Sequence, residues 1–267
     1  MLKDITLGQY FPGSSAVHRL DPRLKLVLLL AYITALLLCQ GLLSYGVMLV
    51  FLIGATAVSR LNPRVVVRGM RPMVFIIIFT ALLNIFYTPG DPVLSFWIFK
   101  ITEEGLWRAL FMAMRLLMLI SGTFLLTYTT SPIMLTDALS RLLSPLSKIR
   151  VPVHEMAMMM TIALRFIPTI IEETDKIMSA QKARGADFET GNLFRRAKAL
   201  IPLLVPLFVG AFRRADELAV AMECRCYRGG EGRTRMRALH MTAGDIGVTL
   251  LCALIFSGAA VLGGFGR

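Results

Sequence analysis

Five long apolar runs constrain the fold of this chain more than any other feature of its sequence. Each is near the ~20 residues that an α-helix needs to cross the hydrocarbon core of a bilayer, the first two being on the short side. The mean hydropathy of +0.67 is also too high for an ordinary soluble domain. The sequence therefore predicts an all-α polytopic membrane protein with about five transmembrane helices. The runs are Leu24–Cys39, Leu42–Val58, Pro72–Thr88, Ala109–Tyr128 and Ile246–Gly263.

Lysine and arginine are unevenly distributed over the loops, and their distribution predicts the topology. The N-terminal arm and the loop between the second and third runs are rich in them, and the short loop after the first run has none. Residues 129–245 hold more than half of the chain's 29 lysine and arginine residues. Basic loops stay on the cytoplasmic side of a membrane. We therefore expect a cell-membrane protein with a cytoplasmic N-terminus and an outer C-terminus. Its regions are an arm with four spans (1–128), a cytoplasmic domain (129–245) and a last span (246–267).

Composition and motifs argue against several classes of function. The net charge of +12 is explained by topology and by attraction to anionic lipid in the bilayer, so it predicts no nucleic-acid partner. Cys39 and Cys252 lie in spans, whereas Cys224 and Cys226 face the reducing side of the membrane, which argues against disulfides. The spacing Cys224-x-Cys226 is wrong for a structural zinc site, and no second ligand pair is near it. Because catalytic and nucleotide-binding motifs are absent as well, we expect no catalytic residue, metal or cofactor.

The cytoplasmic region contains two long helical segments. Residues 153–185 predict one helix interrupted at Pro168, and residues 192–227 predict another interrupted at Pro202 and Pro206. Because proline removes a helical hydrogen bond and bends the axis, we expect each helix to be kinked or broken there. Charged residues follow Pro168, and the apolar middle of the second segment is only about 14 residues long, which favours helices at the membrane surface. The alternative is a pair of spanning helices, which would leave the position of the C-terminus unchanged.

These two segments end in the same way. Steps of four and three residues place a mostly apolar stripe on one face of each helix, and each stripe ends at an arginine. Favourable interaction with the helix dipole explains one such arginine. Two arginines 41 residues apart, preceded by aspartate and alanine at equal offsets, instead indicate paired pegs that dock on a partner protein. The stripes are Ala163, Ile167, Ile170, Thr174, Ile177, Gln181, Arg184 and Leu204, Phe208, Ala211, Ala215, Leu218, Met222, Arg225.

Three further features have two interpretations each. A cluster of four methionines, between Met156 and Met160, is either ordinary core filling or an adaptable apolar surface for a partner. Arg115 in the fourth span either faces the helix bundle or extends toward the membrane surface. The run of residues 228–233 is either a solvated turn, which we favour, or a phosphate- or RNA-binding loop.

The chain resembles the transmembrane T component (EcfT) of energy-coupling factor (ECF) transporters over nearly its whole length. The start at Leu20-Asp21-Pro22-Arg23, the junction Thr129-Thr130-Ser131-Pro132 and the stretch 163–168 are similar to recurrent patterns of that family. The most specific match is Ala183-Arg184-Gly185, the first of two Ala-Arg-Gly signatures. Cys224-Arg225-Cys226 occupies the second, with cysteines in place of the small flanking residues.

The resemblance implies an L-shaped subunit that hydrolyses nothing itself and couples ATP hydrolysis to uptake of vitamins or metal ions. Arg184 and Arg225, with their flanking residues, would dock on two ABC-type (EcfA-like) ATPase subunits. The cytoplasmic helices would also offer an apolar platform to a membrane-embedded substrate-binding S component. The platform residues implied are Met156, Met159, Met160, Ala163, Ile167, Leu204 and Phe208.

Two other functions compete with this interpretation. A channel or secondary transporter needs polar residues along a path through the spans, and only Arg115, Asn84 and a few hydroxyls are available. A membrane-embedded enzyme acting on lipid or an isoprenoid needs clustered acidic or histidine residues at the inner surface. Glu172, Glu173 and Asp175 are the nearest candidates, and they lack the spaced aspartate motifs of diphosphate chemistry.

Overall fold

The computed structural model describes residues 10–89, 92–96, 99–188, 190, 192–230 and 241–265. Within these ranges the chain is almost entirely helical, which confirms the predicted all-α class. The α-helices are α1 (Ala16–Arg19), α2 (Pro22–Leu38), α3 (Leu42–Ser59), α4 (Pro63–Tyr87), α5 (Glu103–Thr129), α6 (Pro132–Leu142), α7 (Val153–Ala183), α8 (Leu193–Ala199), α9 (Ile201–Cys224) and α10 (Ala243–Phe265).

Two short elements lie between these helices. An antiparallel pair of strands, β1 (Pro92–Phe96) and β2 (Phe99–Thr102), which the sequence did not predict, lies between α4 and α5. A 3-10 helix follows α6 at Ser144–Ile149.

Side-chain caps determine where several of these helices begin. Asp21 accepts a hydrogen bond from the Arg23 amide at 2.8 Å, and Ser131 accepts one from the Met134 amide at 3.3 Å. Both are the expected N-caps, each followed by proline at the first helical position. The predicted start of the third span at Pro72 is wrong, because α4 begins nine residues earlier at Pro63, where the side chain of Asn62 caps it.

The helices form two compact units. One contains α1 to α5 together with α10, and its core lies where α2, α3, α5 and α10 meet. Leu36 and Met48 are completely buried there, and the Tyr32 hydroxyl donates to the Met118 carbonyl at 3.1 Å. The other unit contains α7 to α9, and α6 is divided between the two.

Five of the described helices are long and apolar enough to cross a membrane, but they are not quite the predicted five. They are Leu42–Ser59, Arg64–Tyr87, Glu103–Thr129, Val153–Ala183 and Ala243–Gly264. Four correspond to predicted spans. The first predicted span is α2, whose 17 residues are at the lower end of the spanning range. Helix α7 qualifies by length and composition, so the spanning alternative for this segment stays open.

The side chain of Arg115 faces the helix bundle. This confirms the first of its two interpretations, in which the arginine does not extend toward the membrane surface. Its Nε donates to the Tyr45 hydroxyl at 2.8 Å, and its Nη2 donates to the Cys39 carbonyl at 3.2 Å. Cys39 is the C-cap of α2, where carbonyl groups lack helical partners. The arginine therefore ties α5 to the turn between α2 and α3, and its charge is satisfied by groups of the protein.

Candidate functional site

The first arginine stands at the C-terminal end of α7. Arg184 is the last residue with near-helical backbone angles, and Gly185 follows in the left-handed region at φ 86°. The Gly185 amide donates to the Lys182 carbonyl, and the Ala186 amide donates to the Gln181 carbonyl, both at 3.0 Å. These two hydrogen bonds, from amides beyond the helix end to carbonyls of the last turn, form a Schellman motif. This motif satisfies the last carbonyls of a helix.

The second arginine stands at the end of α9 in the same geometry. Cys226 takes the left-handed position at φ 56°, where the first ending has glycine. Its amide donates to the Glu223 carbonyl at 2.8 Å, and the Tyr227 amide donates to the Met222 carbonyl at 3.0 Å. Cys224-Arg225-Cys226 therefore gives the same kind of helix ending as Ala183-Arg184-Gly185, at the cost of a strained cysteine backbone.

Both guanidinium groups are accessible. Arg184 and Arg225 are exposed, as are Cys224 and Cys226 beside the second arginine. Among the described residues, neither arginine side chain forms an ion pair or hydrogen bond within the chain. Each can therefore contact a partner without first breaking an internal interaction.

An ion pair joins the two helices that carry these arginines. Arg214 on α9 donates from Nη2 to Glu173 Oε2 on α7 at 2.5 Å, and each side chain is about a quarter exposed. Gly210 is buried at the same place, where a Cβ atom would lie 3.1 Å from Glu173 Oε1. A side chain at this position would crowd the Glu173 carboxylate that accepts from Arg214.

The contact has an internal symmetry. Glu173 and Arg214 are 41 residues apart, the same offset that separates Arg184 from Arg225. Arg184 follows Glu173 by 11 residues, and Arg225 follows Arg214 by 11. At a rise of 1.5 Å per residue, both arginines lie about 16 Å along their helices from the contact. The repeat in the sequence is therefore also a geometric repeat about the ion pair.

Sequence reasoning missed this pair, although the signal was present. The offset of 41 residues holds for aspartate, alanine and arginine, and extending it two residues toward the N-terminus pairs the acidic Glu173 with the basic Arg214. Opposite charges at equivalent positions of two repeats predict that the repeats meet there.

An apolar groove of about 470 Å³ runs between α7 and α9 beside the ion pair. Leu204 and Phe208 of the predicted platform line it, together with Ile170, Ala211, Leu218 and Met222 of the two stripes. The other five predicted platform residues, all on α7, do not line it.

The methionines of that cluster do not fill the core of this chain. Met156, Met159 and Met160 are 46%, 58% and 43% exposed. Of the two interpretations, ordinary core filling is therefore wrong for these three. They form an exposed apolar surface on the first two turns of α7.

The sequence predicts a kink or a break at the prolines inside these helices. A break is wrong for Pro168 and Pro206, because α7 and α9 are continuous through them, and a kink there stays a prediction. The break falls at Leu200, between α8 and α9, and Pro202 occupies the first turn of α9, where proline costs no hydrogen bond.

Comparison with known proteins assigns the chain to a family. Residues 13–236 match the model of the CbiQ family, described as cobalt transport protein. The chain is 52% identical over 258 residues to the energy-coupling factor transporter transmembrane protein EcfT of Thermosediminibacter oceani, covering 97% of each chain. This chain belongs to the EcfT family. Its identity to the EcfT of Clostridium kluyveri is 54% over 264 residues (98% and 97% of the two chains), and to that of Bacillus subtilis 47% over 261 residues (96% and 98%). As an EcfT-family protein it is a multi-pass transmembrane component of an ECF transporter.

Proposed function

We propose that this chain is the coupling subunit of an ECF-type importer. In this proposal it transmits the closing and opening of two ABC-type ATPase subunits to a substrate-binding S component, for uptake of vitamins or metal ions. The chain itself hydrolyses nothing. The observation that carries the proposal is the pair of helices that both end in a Schellman motif, each with an exposed arginine 11 residues beyond a shared ion pair.

The chemistry of arginine suits the role of a docking peg. Its guanidinium stays charged at all physiological pH values and makes paired hydrogen bonds with carboxylates and with carbonyls at helix ends. Buried arginines are also common energetic anchors of protein interfaces. Arg184 and Arg225 are equivalent about the contact of α7 and α9, so they would match a pair of partners that are similar to each other. An ATPase dimer has that property, whether its two subunits are identical or only alike.

The apolar surface of α7 and α9 supports a second interface. Phe208 is 61% exposed, and the methionines at the start of α7 are similarly accessible. Exposed apolar patches of this kind mark protein or membrane contacts. Methionine side chains are flexible and polarisable, so they would tolerate an S component that changes its orientation during transport. Substrate selectivity then belongs to the S component.

Reconstitution tests the proposal. The chain, its ATPase pair and an S component are placed in proteoliposomes, and substrate uptake and phosphate release are measured in the same vesicles. We expect Arg184→Glu with Arg225→Glu to abolish uptake. Arg165→Glu and Arg213→Glu, which change exposed arginines in the middle of the same two helices, serve as matched controls and should leave uptake intact. Equal loss in both sets would show that negative charge on these helices, rather than the pegs, is responsible.

The orientation is part of the proposal and has a separate test. A cytoplasmic α9 end places the exposed thiols of Cys224 and Cys226 on the inner side of the membrane. A membrane-impermeant maleimide should label them in inside-out vesicles and leave them unlabelled in intact cells. Labelling of intact cells at these positions would reverse the topology.

A further inference from the structure

A second groove lies in the unit that contains α1 to α5 and α10, and the function proposed above does not use it. It has a volume of about 910 Å³ and is lined by residues of α1, α2, α3, α5 and α10. This is within the size range of sites that bind small organic ligands. Most of its lining is aliphatic or aromatic, including Leu28, Phe51, Ala55, Val248 and Ile255.

One end of the groove is polar and the other is apolar. Arg19, Lys25, Thr129 and Thr242 lie at the end where α2 and α10 begin and where α3 and α5 finish. This is the end that the charge distribution assigns to the cytoplasm. From Gly244, near the start of α10, to Phe256 in its interior, the groove follows 12 residues, or about 18 Å of helix.

Aromatic rings line the apolar end of the groove. Phe256 packs edge-on against Phe51 with ring centroids 4.9 Å apart, and against Tyr32 at 5.9 Å. The Tyr32 hydroxyl is held by the Met118 carbonyl. The groove therefore offers no free polar partner from these rings to the inner part of a ligand.

The available charge at the polar end is positive. Lys25 is already engaged, since its Nζ donates to the Thr129 carbonyl at 3.0 Å and to Thr130 Oγ1 at 3.2 Å. The Asp245 carboxylate is likewise engaged, because Oδ2 accepts from the amide and the hydroxyl of Thr242, both at 2.9 Å. Arg19 is exposed and, among the described residues, has no side-chain partner. A ligand at this end thus meets a free guanidinium.

We propose that this groove binds an anionic phospholipid of the cytoplasmic leaflet. The phosphate lies at Arg19, and one acyl chain extends between α2, α3 and α10 toward Phe256. Val58 and Leu251, which border the groove, are more than half exposed on helices that span the membrane, so the groove is open to lipid. Basic pockets between transmembrane helices at the cytoplasmic side are known sites for anionic headgroups.

A filled groove provides the test. Gly54 lines the groove, and a Cβ atom there would have no atom within 4 Å, so Gly54→Leu places a side chain in the groove without a clash. Gly46→Leu is the matched control, because Gly46 is on the same helix, has equally open surroundings and does not line the groove. Each variant is purified in mild detergent with an equimolar mixture of phosphatidylglycerol and phosphatidylcholine, and retained lipid is measured by native mass spectrometry. We expect Gly54→Leu to lose the retained phosphatidylglycerol and Gly46→Leu to keep it.

A charge variant tests the headgroup independently and does not depend on the fold tolerating leucine at Gly54. Arg19→Gln should lower the ratio of phosphatidylglycerol to phosphatidylcholine about five-fold, as for loss of one basic contact near the membrane surface. Arg64→Gln, at an exposed arginine outside the groove, should leave the ratio unchanged. Equal retention of the two lipids by the unmodified chain, or a ratio that Arg19→Gln does not alter, overturns the proposal. So does a folded Gly54→Leu variant that retains as much phosphatidylglycerol as the control, because the lipid would then be bound outside the groove.

Discussion

The two arginine-bearing helix ends differ at one backbone position, and exchanging the residues there makes a quantitative prediction. Cys226 has φ 56° and Gly185 has φ 86° at equivalent places of two Schellman motifs. The left-handed conformation costs a residue with a side chain about 1–2 kcal/mol. Glycine avoids this cost but loses about 0.5–1 kcal/mol more conformational entropy on folding. Cys226→Gly should therefore stabilise the end of α9 by about 0.5–1 kcal/mol.

The reverse exchange is the matched experiment. A Cβ atom at Gly185 would meet nothing within 4 Å, so Gly185→Cys introduces backbone strain without a steric clash. We expect it to destabilise the end of α7 by about the same 0.5–1 kcal/mol. Because 1.4 kcal/mol is a factor of ten, these changes correspond to about 2- to 5-fold in local opening.

Hydrogen exchange measures this local opening directly. The reporting amides are Tyr227, which donates to the Met222 carbonyl, and Ala186, which donates to the Gln181 carbonyl. Cys226→Gly should slow exchange at Tyr227, and Gly185→Cys should speed exchange at Ala186. Changes of the same sign in the two variants, or faster exchange at Tyr227 in Cys226→Gly, would refute the equivalence of the two endings.

Three further predictions follow from other contacts. Arg115→Met removes the donor to the buried Tyr45 hydroxyl and should lower the free energy of unfolding in detergent by about 1–3 kcal/mol. An unchanged free energy of unfolding would show that this contact does not stabilise the fold. Leu36→Ala, at a completely buried position, should cost about 2–5 kcal/mol in the same unfolding assay; a loss below 1 kcal/mol would place Leu36 outside the core. Glu173→Arg and Arg214→Glu should each destabilise the chain, and the double variant should recover about 1 kcal/mol of the summed loss; strict additivity in the double-mutant cycle would exclude a direct interaction.

Local features of this fold were predictable from sequence because their causes are local. Asp21 and Ser131 were recognised as caps because a short polar side chain before proline satisfies amides one turn away. The positions of Arg184 and Arg225 followed from helical periodicity. The same reasoning failed for the start of α4, where Asn62-Pro63 is as good a start as the later proline at which the helix was expected to begin.

Features that depend on long-range packing were not predictable in the same way. Pro168 and Pro206 were expected to kink or break their helices, and neither breaks its helix, because a proline inside a helix is tolerated when the remaining structure supports the bend. The partners of Arg115 lie about 70 residues away in sequence, and periodicity does not report contacts at that distance. The groove near Gly54 likewise depends on how several helices pack.

Coupling through this chain requires that Arg184 and Arg225 dock on the ATPase subunits, and retention of those subunits by the chain tests this docking most directly. Tagged ATPase subunits are purified from membranes with the unmodified chain, with Arg184→Glu, with Arg225→Glu and with the double variant. Arg165→Glu and Arg213→Glu serve as controls, and the helical content of every variant is checked in parallel. We predict that each single variant weakens retention, that the folded double variant retains no ATPase, and that the controls retain it fully. If the double variant keeps its ATPases and supports normal uptake, Arg184 and Arg225 are ordinary charges at helix ends, and the proposed coupling route is wrong.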